Sequence, residues 1–284
     1  MESRHPITLG RIDYANAWPI FFHLHEARLG GGVQVTTQVP ARLNAGLQRG
    51  ELDVAAISSF AYAQHSDDYI LLPGLSVSSE DRVNSILLFM KRPLEEVLQG
   101  TIAMTNTSAT SVNLLRILMH NYYGAQPHYT TTAPSLDDML ESADAALLIG
   151  DTAIKASWRD TGCQIIDLGA LWRRWTGHGM TYAVVAARKD VAQQQPELLS
   201  ELHEALLDSK RRSLQQPELL VARACEELGG EPAYWRRYFQ ELNYDLGPSQ
   251  QAGLSLYFRY ARELGLLEQD VRMQYLNHQS LSHG

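Results

Sequence analysis

Five short segments of this chain place small hydroxyl, amide or carboxylate side chains where an apolar run breaks off. They are Tyr14-Ala-Asn16, Ser58-Ser59, Val83-Asn-Ser85-Ile86, Thr107-Ser108-Ala-Thr110-Ser111 and Gly150-Asp151. Such side chains hold carboxylates and hydroxyls by hydrogen bonding, and in open α/β sheets ligands settle in the crevice beyond the carboxyl ends of the strands. The five segments therefore predict one polar pocket for a small molecule. Thr107, Ser108, Thr110 and Ser111 lie just ahead of a helix-period segment, so their hydroxyls and N–H groups, aided by the helix dipole, suit a carboxylate. Ser58 and Ser59 offer the same donors after the third strand, and for both segments the plain alternative is helix N-capping. Tyr14 and Asn16 are two apart at a strand end and point the same way, with a cap as the plain alternative for Asn16. Gly150 lets backbone or ligand come close, and Asp151 beside it is a candidate general base or, more plainly, the cap of the next helix. Ser85 heads a strand, its hydroxyl facing the pocket or capping the strand. His178 and Tyr182 flank the last strand as further candidates.

The elements that must hold these groups alternate along the chain. Ile7–Ile12 reads as a strand, and Trp18–Arg28 as a helix with Pro19 in its first turn. Val33–Val39 reads as a strand, Pro40–Arg49 as a helix stopped by Gly50, and Asp53–Ile57 as a short buried strand. This βαβαβ order predicts a parallel sheet covered by helices on both faces. Asn84–Met90 is another strand, and Pro93–Gly100 marks a change of segment. A second, smaller unit follows: strands at Thr101–Thr105, Tyr129–Thr132 and Ala145–Ile149, with helices at Ser111–Tyr123 and Ser135–Ser142. Met180–Ala187 is a continuous apolar strand, and the remainder is helical in period with breaks at Pro196, Pro217, Gly229-Gly230-Glu-Pro232 and Gly247-Pro248. The predicted fold is α/β and two-lobed, with residues 1–88 and 182–284 in lobe I and 89–181 in lobe II. Two crossing strands near Ser85–Met90 and Met180–Ala187 would join the lobes, with the ligand cleft between them and a helical C-terminal tail.

Composition narrows the function. The 284 residues carry a formal net charge of −8 and scattered Lys and Arg, which argues against a nucleic-acid partner. The start of the chain lacks the apolar core of a secretory signal and no apolar run reaches about 20 residues, so the expectation is a cytoplasmic protein that does not span a membrane. Cys163 and Cys225 are far apart and in no motif, and the histidines, including His23 and His25, show no ligand spacing, so neither a disulfide framework nor a metal is expected. No Gly-x-Ser-x-Gly elbow or other activated nucleophile occurs.

The order of several blocks resembles the chorismate dehydratases of the menaquinone pathway, which share the type 2 periplasmic-binding-protein fold. The blocks are Gly10-Arg-Ile-Asp-Tyr14-Ala-Asn16-Ala-Trp-Pro19, Pro40-Ala-Arg-Leu-Asn44, Leu52-Asp53-Val-Ala-Ala-Ile-Ser58-Ser59, Leu72-Pro73-Gly-Leu-Ser76, Ser108-Ala-Thr110-Ser111, Leu147-Leu-Ile-Gly150-Asp151 and Asp167-Leu-Gly169-Ala-Leu-Trp172 followed by Thr176-Gly177. They cover roughly the first 190 residues. The resemblance implies a hydro-lyase that converts chorismate, a small dicarboxylate, to 3-[(1-carboxyvinyl)oxy]benzoate and water in the futalosine route, without a cofactor. A ring proton must then be removed and a hydroxyl released. Asp151 is the candidate base and Asn16 and Ser85 the candidates for orienting the departing hydroxyl, while a rival scheme lets a substrate carboxylate take the proton. The related 1,4-dihydroxy-6-naphthoate synthase and a non-catalytic solute-binding protein are the alternatives, and the oligomeric state is open.

Overall fold

Burial of apolar strands between helical layers organises the chain around two sheets. The computed structural model describes residues 5–24, 29 and 31–277. Strand β1 (Ile7–Ile12) leads through a 3-10 turn at Ala15–Ala17 into α1 (Trp18–Phe21). Then come β2 (Val33–Gln38), α2 (Pro40–Gln48), β3 (Val54–Ser58), α3 (Ser59–Gln64) and β4 (Tyr69–Ser79). The next stretch holds β5 (Ile86–Met90), α4 (Leu94–Val97), β6 (Thr101–Thr105), α5 (Ala109–Ile117) with a π turn at Leu118–Tyr122, β7 (His128–Thr132), α6 (Leu136–Ser142), β8 (Ala145–Ile149), α7 (Gly150–Ser157), β9 (Gln164–Asp167) and α8 (Leu168–Thr176). The chain returns through β10 (Met180–Arg188) to α9 (Lys189–Gln194), α10 (Pro196–Gln215), α11 (Glu218–Leu228), α12 (Pro232–Glu241), β11 (Leu242–Asn243) and α13 (Pro248–Glu263).

The first sheet has the order β11-β4-β10-β3-β1-β2 and the second β7-β6-β8-β5-β9. As the βαβαβ pattern requires, β1 is parallel to β2 and β3. In the second sheet β6 is parallel to β7 and β8, whereas β5 runs antiparallel to β8 and β9. Strands β3, β5 and β8 are buried along their whole length, which explains their unbroken apolar sequences.

Several elements differ from the sequence reading. The helix expected over Trp18–Arg28 closes at Phe21, and residues 25–28, with His25, lie outside the described residues. Strand β4 is absent from the sequence reading because Pro73-Gly74 interrupts it. The sheet accommodates them as a bulge: Leu71 pairs with Ala186 and Ser76 with Val184. The carbonyls freed there are taken up by α10, His203 Nε2 meeting Pro73 O at 2.7 Å and Lys210 Nζ donating to Gly74 O at 2.7 Å.

The passages between the sheets are also not the strands the sequence suggests. Strand β5 pairs entirely within the second sheet and β10 entirely within the first, so the chain crosses at residues 80–85 and again through α8 and residues 177–179. One side chain ties both crossings. Asp167, 6% exposed, accepts the N–H of Val83 at 3.2 Å and of Ala170 at 3.0 Å on Oδ1, and the N–H of Asn84 at 2.7 Å on Oδ2. It thus caps α8 while holding a turn in which Asn84 adopts φ 58°, a conformation that Asn tolerates better than most residues. Gly169 makes the close approach possible, since a Cβ there would stand 2.6 Å from both the Asp81 carbonyl oxygen and the Tyr182 hydroxyl.

The C-terminal helices grip the second lobe on two flanks. On one, Tyr238 donates its hydroxyl to Ser85 Oγ at 3.0 Å, and Trp158 meets Tyr234 and Trp235 edge-on. On the other, Tyr257 donates to the Thr110 carbonyl at 3.1 Å and Tyr260 stacks on Trp175 with ring centroids 4.8 Å apart.

Replacing Asp167 by Ala removes the acceptor of three N–H groups at the two crossings, that of Val83 buried and those of Asn84 and Ala170 partly so. We expect a loss of about 3 kcal/mol in urea unfolding, with Asp167→Asn, which keeps one acceptor oxygen, losing roughly half as much.

Candidate active site

The cleft between the two sheets is built from strand ends and helix starts. Its polar lining consists of Tyr14, Asn16, Ser58, Ser108, Ser111 and Tyr182, beside Gly150, and its apolar walls are Ile12, Pro40, Ile86, Ile149 and Ala183. The free cavity within it is about 30 Å³, room for a water or two, so a larger ligand enters only when the lobes part. Helices α2, α3, α5 and α7 all start at or next to lining residues, so their positive ends converge on the cleft. None of the lining residues is a Lys, Arg, His, Asp or Glu.

Each hydroxyl is set by its neighbours. Ser58 is the N-cap of α3, its Oγ accepting the Ala61 N–H at 3.3 Å. Ser108 caps α5 in the same way for Ser111 N–H, and its own hydroxyl donates to Ser111 Oγ at 3.0 Å, which leaves the Ser111 proton to point elsewhere. The capping role and a ligand role therefore coexist. Asn16 is not a cap: the helix-start residues Tyr14 and Ala17 flank it, and Asn16 Oδ1 is buried with no hydrogen-bond partner. A buried acceptor left open at the edge of a polar cleft suits a ligand hydroxyl. Tyr14 spans the cleft. Its hydroxyl bonds Thr107 and its ring lies on Gly150, where a Cβ would stand 2.8 Å from Tyr14 Cγ, so only glycine, at φ +60°, fits. Burial raises the Tyr14 hydroxyl above its ordinary pKa, against the hydrogen bond from Thr107.

Asp151 stands behind this wall. Its Oδ1 accepts the N–H of Ala15 at 3.1 Å, so the carboxylate caps the 3-10 turn of the opposite lobe instead of its own helix. Burial pushes its carboxyl up to about 6, opposed by the Ala15 N–H and by Lys155.

Besides Asp151, five expected site residues do not line the cleft: Thr107, whose Oγ1 bonds Thr105 Oγ1 at 2.8 Å as well as the Tyr14 hydroxyl, and Ser85, Ser59, Thr110 and His178. Ser85 is fully buried, its Oγ donating to Val83 O and receiving the Tyr238 hydroxyl, because the turn held by Asp167 rotates it inward. Ser59 Oγ donates to Thr181 O at 2.8 Å inside the core. Thr110 Oγ1 accepts the Phe60 N–H at 2.9 Å and so joins α5 to α3. His178 is exposed in the turn before β10. Tyr182 contributes its ring, while its hydroxyl bonds Ser79 Oγ at 2.9 Å and burial raises its pKa. Asn44 escaped the sequence reading as a site residue although it stands in one of the resembling blocks. Its Oδ1 accepts the Ser58 N–H and its Nδ2 donates to Ser58 Oγ, both at 3.0 Å. An Asn inside a helix was the available signal. Among the described residues no group of three or more His, Cys, Asp or Glu could hold a metal ion, and no helix is long and apolar enough to cross a membrane.

Comparison with known proteins gives a consistent picture. Residues 7–263 match a family described as menaquinone biosynthesis. The chain is 33% identical over 276 residues to a chorismate dehydratase of Thermus thermophilus, covering 92% of this chain and 96% of that protein. It is 26% identical over 229 residues to a 1,4-dihydroxy-6-naphthoate synthase of the same organism, covering 79% and 81%. A Candida albicans protein with the generic periplasmic-binding-protein fold superposes with a TM-score of 0.69 at 11% identity, covering 96% of this chain and 97% of that one. The two-lobed α/β architecture is that fold.

Two expected outcomes follow from the geometry. Because the folded Asp151 carboxyl titrates near 6 and an unfolded one near 4, the folded chain holds the extra proton between those values. Stability falls as pH rises from about 4 through about 6. Thermal unfolding of Asp151→Asn should gain on the wild type over that interval and run parallel to it above. Second, Ser111→Ala should weaken binding of a carboxylate ligand about tenfold in calorimetry with a small loss of melting temperature, since the Ser108 hydroxyl loses its acceptor, whereas Thr110→Val should lower the melting temperature by several degrees without the same loss of binding, since it strands the Phe60 N–H.

Proposed function

The chain belongs to the menaquinone-biosynthesis family, and from this we propose that it acts as a hydro-lyase converting chorismate to 3-[(1-carboxyvinyl)oxy]benzoate and water. The observation that carries the mechanism is the lining of the cleft by neutral donors and acceptors alone. A dianion can be held there by hydroxyls, an amide and helix N-termini, without a cation that would bind product as tightly as substrate.

The reaction removes the proton from the ring carbon bearing the ether and the hydroxyl from its neighbour. The C–H electron pair becomes the third ring double bond as the C–O bond breaks, and aromatisation drives the step. The ring carboxylate is rigid and lies on the far side of the ring, so we assign it to the Ser58 and Ser111 hydroxyls. The carboxylate on the flexible ether arm can swing over the adjacent C–H and take its proton, then hand it to the departing hydroxyl to complete water. Asn16 Oδ1 accepts the O–H of that hydroxyl and fixes its direction. The aromatic ring of Tyr182 and the isoleucine walls exclude water from the transfer. Asp151 has no step in this scheme: it lies outside the lining and its carboxylate is bonded to Ala15. It holds the two lobes in register instead.

Incubation of the protein with chorismate should give a product lighter by one water with benzoate absorbance. Asn16→Ala should lose at least about 100-fold in kcat through lost orientation, while Asp151→Asn should stay within about tenfold of the wild type. An Asp151→Asn variant as inactive as Asn16→Ala would assign the base to the protein. Unaltered chorismate bound by the wild type would make this cleft a receptor.

A further inference from the structure

We propose that Asn44 is a positioning residue that turns the Ser58 hydroxyl into a one-way donor, and so makes this wall of the cleft select a carboxylate oxygen over any group that itself donates. A serine hydroxyl has two lone pairs and one proton. At Ser58 both lone pairs are engaged, by Asn44 Nδ2 at 3.0 Å and by the Ala61 N–H at 3.3 Å. The proton has no role in either bond and Ser58 lines the cleft, so it points at the ligand. The amide cannot turn over to release the constraint, because Asn44 Oδ1 is held at the same time by the Ser58 N–H at 3.0 Å. That reciprocal pair locks the amide and, through it, the hydroxyl rotor.

The placement of Asn44 has no other evident purpose. It stands within α2, between the buried Leu43 and Leu47 of the same helix, where Asn is a poorer helix former than Ala. Its side chain bonds the serine at the end of β3 twice. The second lobe has a weaker counterpart: Ser108 donates to Ser111 Oγ, leaving the Ser111 proton free of that bond. There the bond from Ser108 occupies one lone pair of Ser111 Oγ, so only the Ser58 hydroxyl is fully pre-set as a donor. Pre-setting matters in a site without Lys or Arg, since a neutral hydroxyl free to rotate would spend part of its time presenting a lone pair to an anion.

This inference rests on reading the cleft as a carboxylate site, and the test separates the two. Wild type, Asn44→Ala, Ser58→Ala and the double variant are compared by chorismate kinetics and by calorimetric binding of isophthalate, an inert dicarboxylate. We expect Asn44→Ala to raise KM and the isophthalate Kd about tenfold in the Ser58 background and less than twofold in the Ser58→Ala background, with kcat changed less than threefold in both. Melting temperatures identify any variant that binds poorly because it is unfolded, and in that case Asn44→Ser replaces Asn44→Ala in the same cycle. Equal weakening in both backgrounds, no weakening by Asn44→Ala, or no binding of either carboxylate by the wild type overturns the proposal. Coupled binding of isophthalate without any dehydration of chorismate leaves Asn44 in its role and removes the dehydratase reading.

Discussion

The Asp167 carboxylate is the constraint on which the arrangement depends, because it joins the two passages between the sheets into one unit. With three backbone N–H groups on its two oxygens, it fixes residues 83 and 84 of the first crossing against the start of α8 in the second. Gly169 then lets α8 rest directly on the backbone of the first crossing. These contacts set where β5 enters the second sheet, hence where Ile86 and, through β8, Ile149 and Gly150 stand in the cleft. They also turn Ser85 away from it. A shift in this knot would change the distance between the hydroxyls of Ser58 and Ser111, which belong to different lobes.

The C-terminal helices brace the second lobe from both sides of the cleft. Helix α12 holds Ser85 and Trp158 on one flank of the second lobe, and α13 holds Thr110 and Trp175 on the other. Between these flanks, Asp151 caps the turn at Ala15 and Tyr14 lies on Gly150. Contacts on several sides of the cleft fix the geometry of its donors in this closed arrangement. That suits an enzyme whose contribution is orientation, since positioning is lost when reacting groups drift by an ångström.

The electrostatics point the same way. The chain carries a net charge of −8, and the cleft offers a dianion no formal positive charge. Helix N-termini and oriented hydroxyls supply partial charges instead, and they do so without titrating near neutral pH. The Asp151 carboxyl close by is buried behind the wall, where desolvation favours its neutral form as pH falls toward about 6.

The α/β class, most strands, the parallel start and the gathering of polar residues at strand ends were legible in the amino-acid order. These features are local: apolar runs of strand length, glycine and proline breaks, and Ser or Thr ahead of a helix follow from burial and backbone geometry alone. The amino-acid order also placed Tyr14, Asn16, Ser58, Ser108, Ser111, Gly150 and Tyr182 in one cleft. Which hydroxyls face the cleft was set by contacts between elements far apart in the chain. Thr110 and Ser111 are adjacent and alike, but one bonds Phe60 across the lobes while the other faces the cleft, a choice made by α3 and not by their own segment. Likewise β4 exists because α10 satisfies the carbonyls of its Pro73-Gly74 bulge, and Asp151 caps a turn 136 residues earlier in the chain. Such bonds join residues far apart in sequence, and no local pattern encodes the partner.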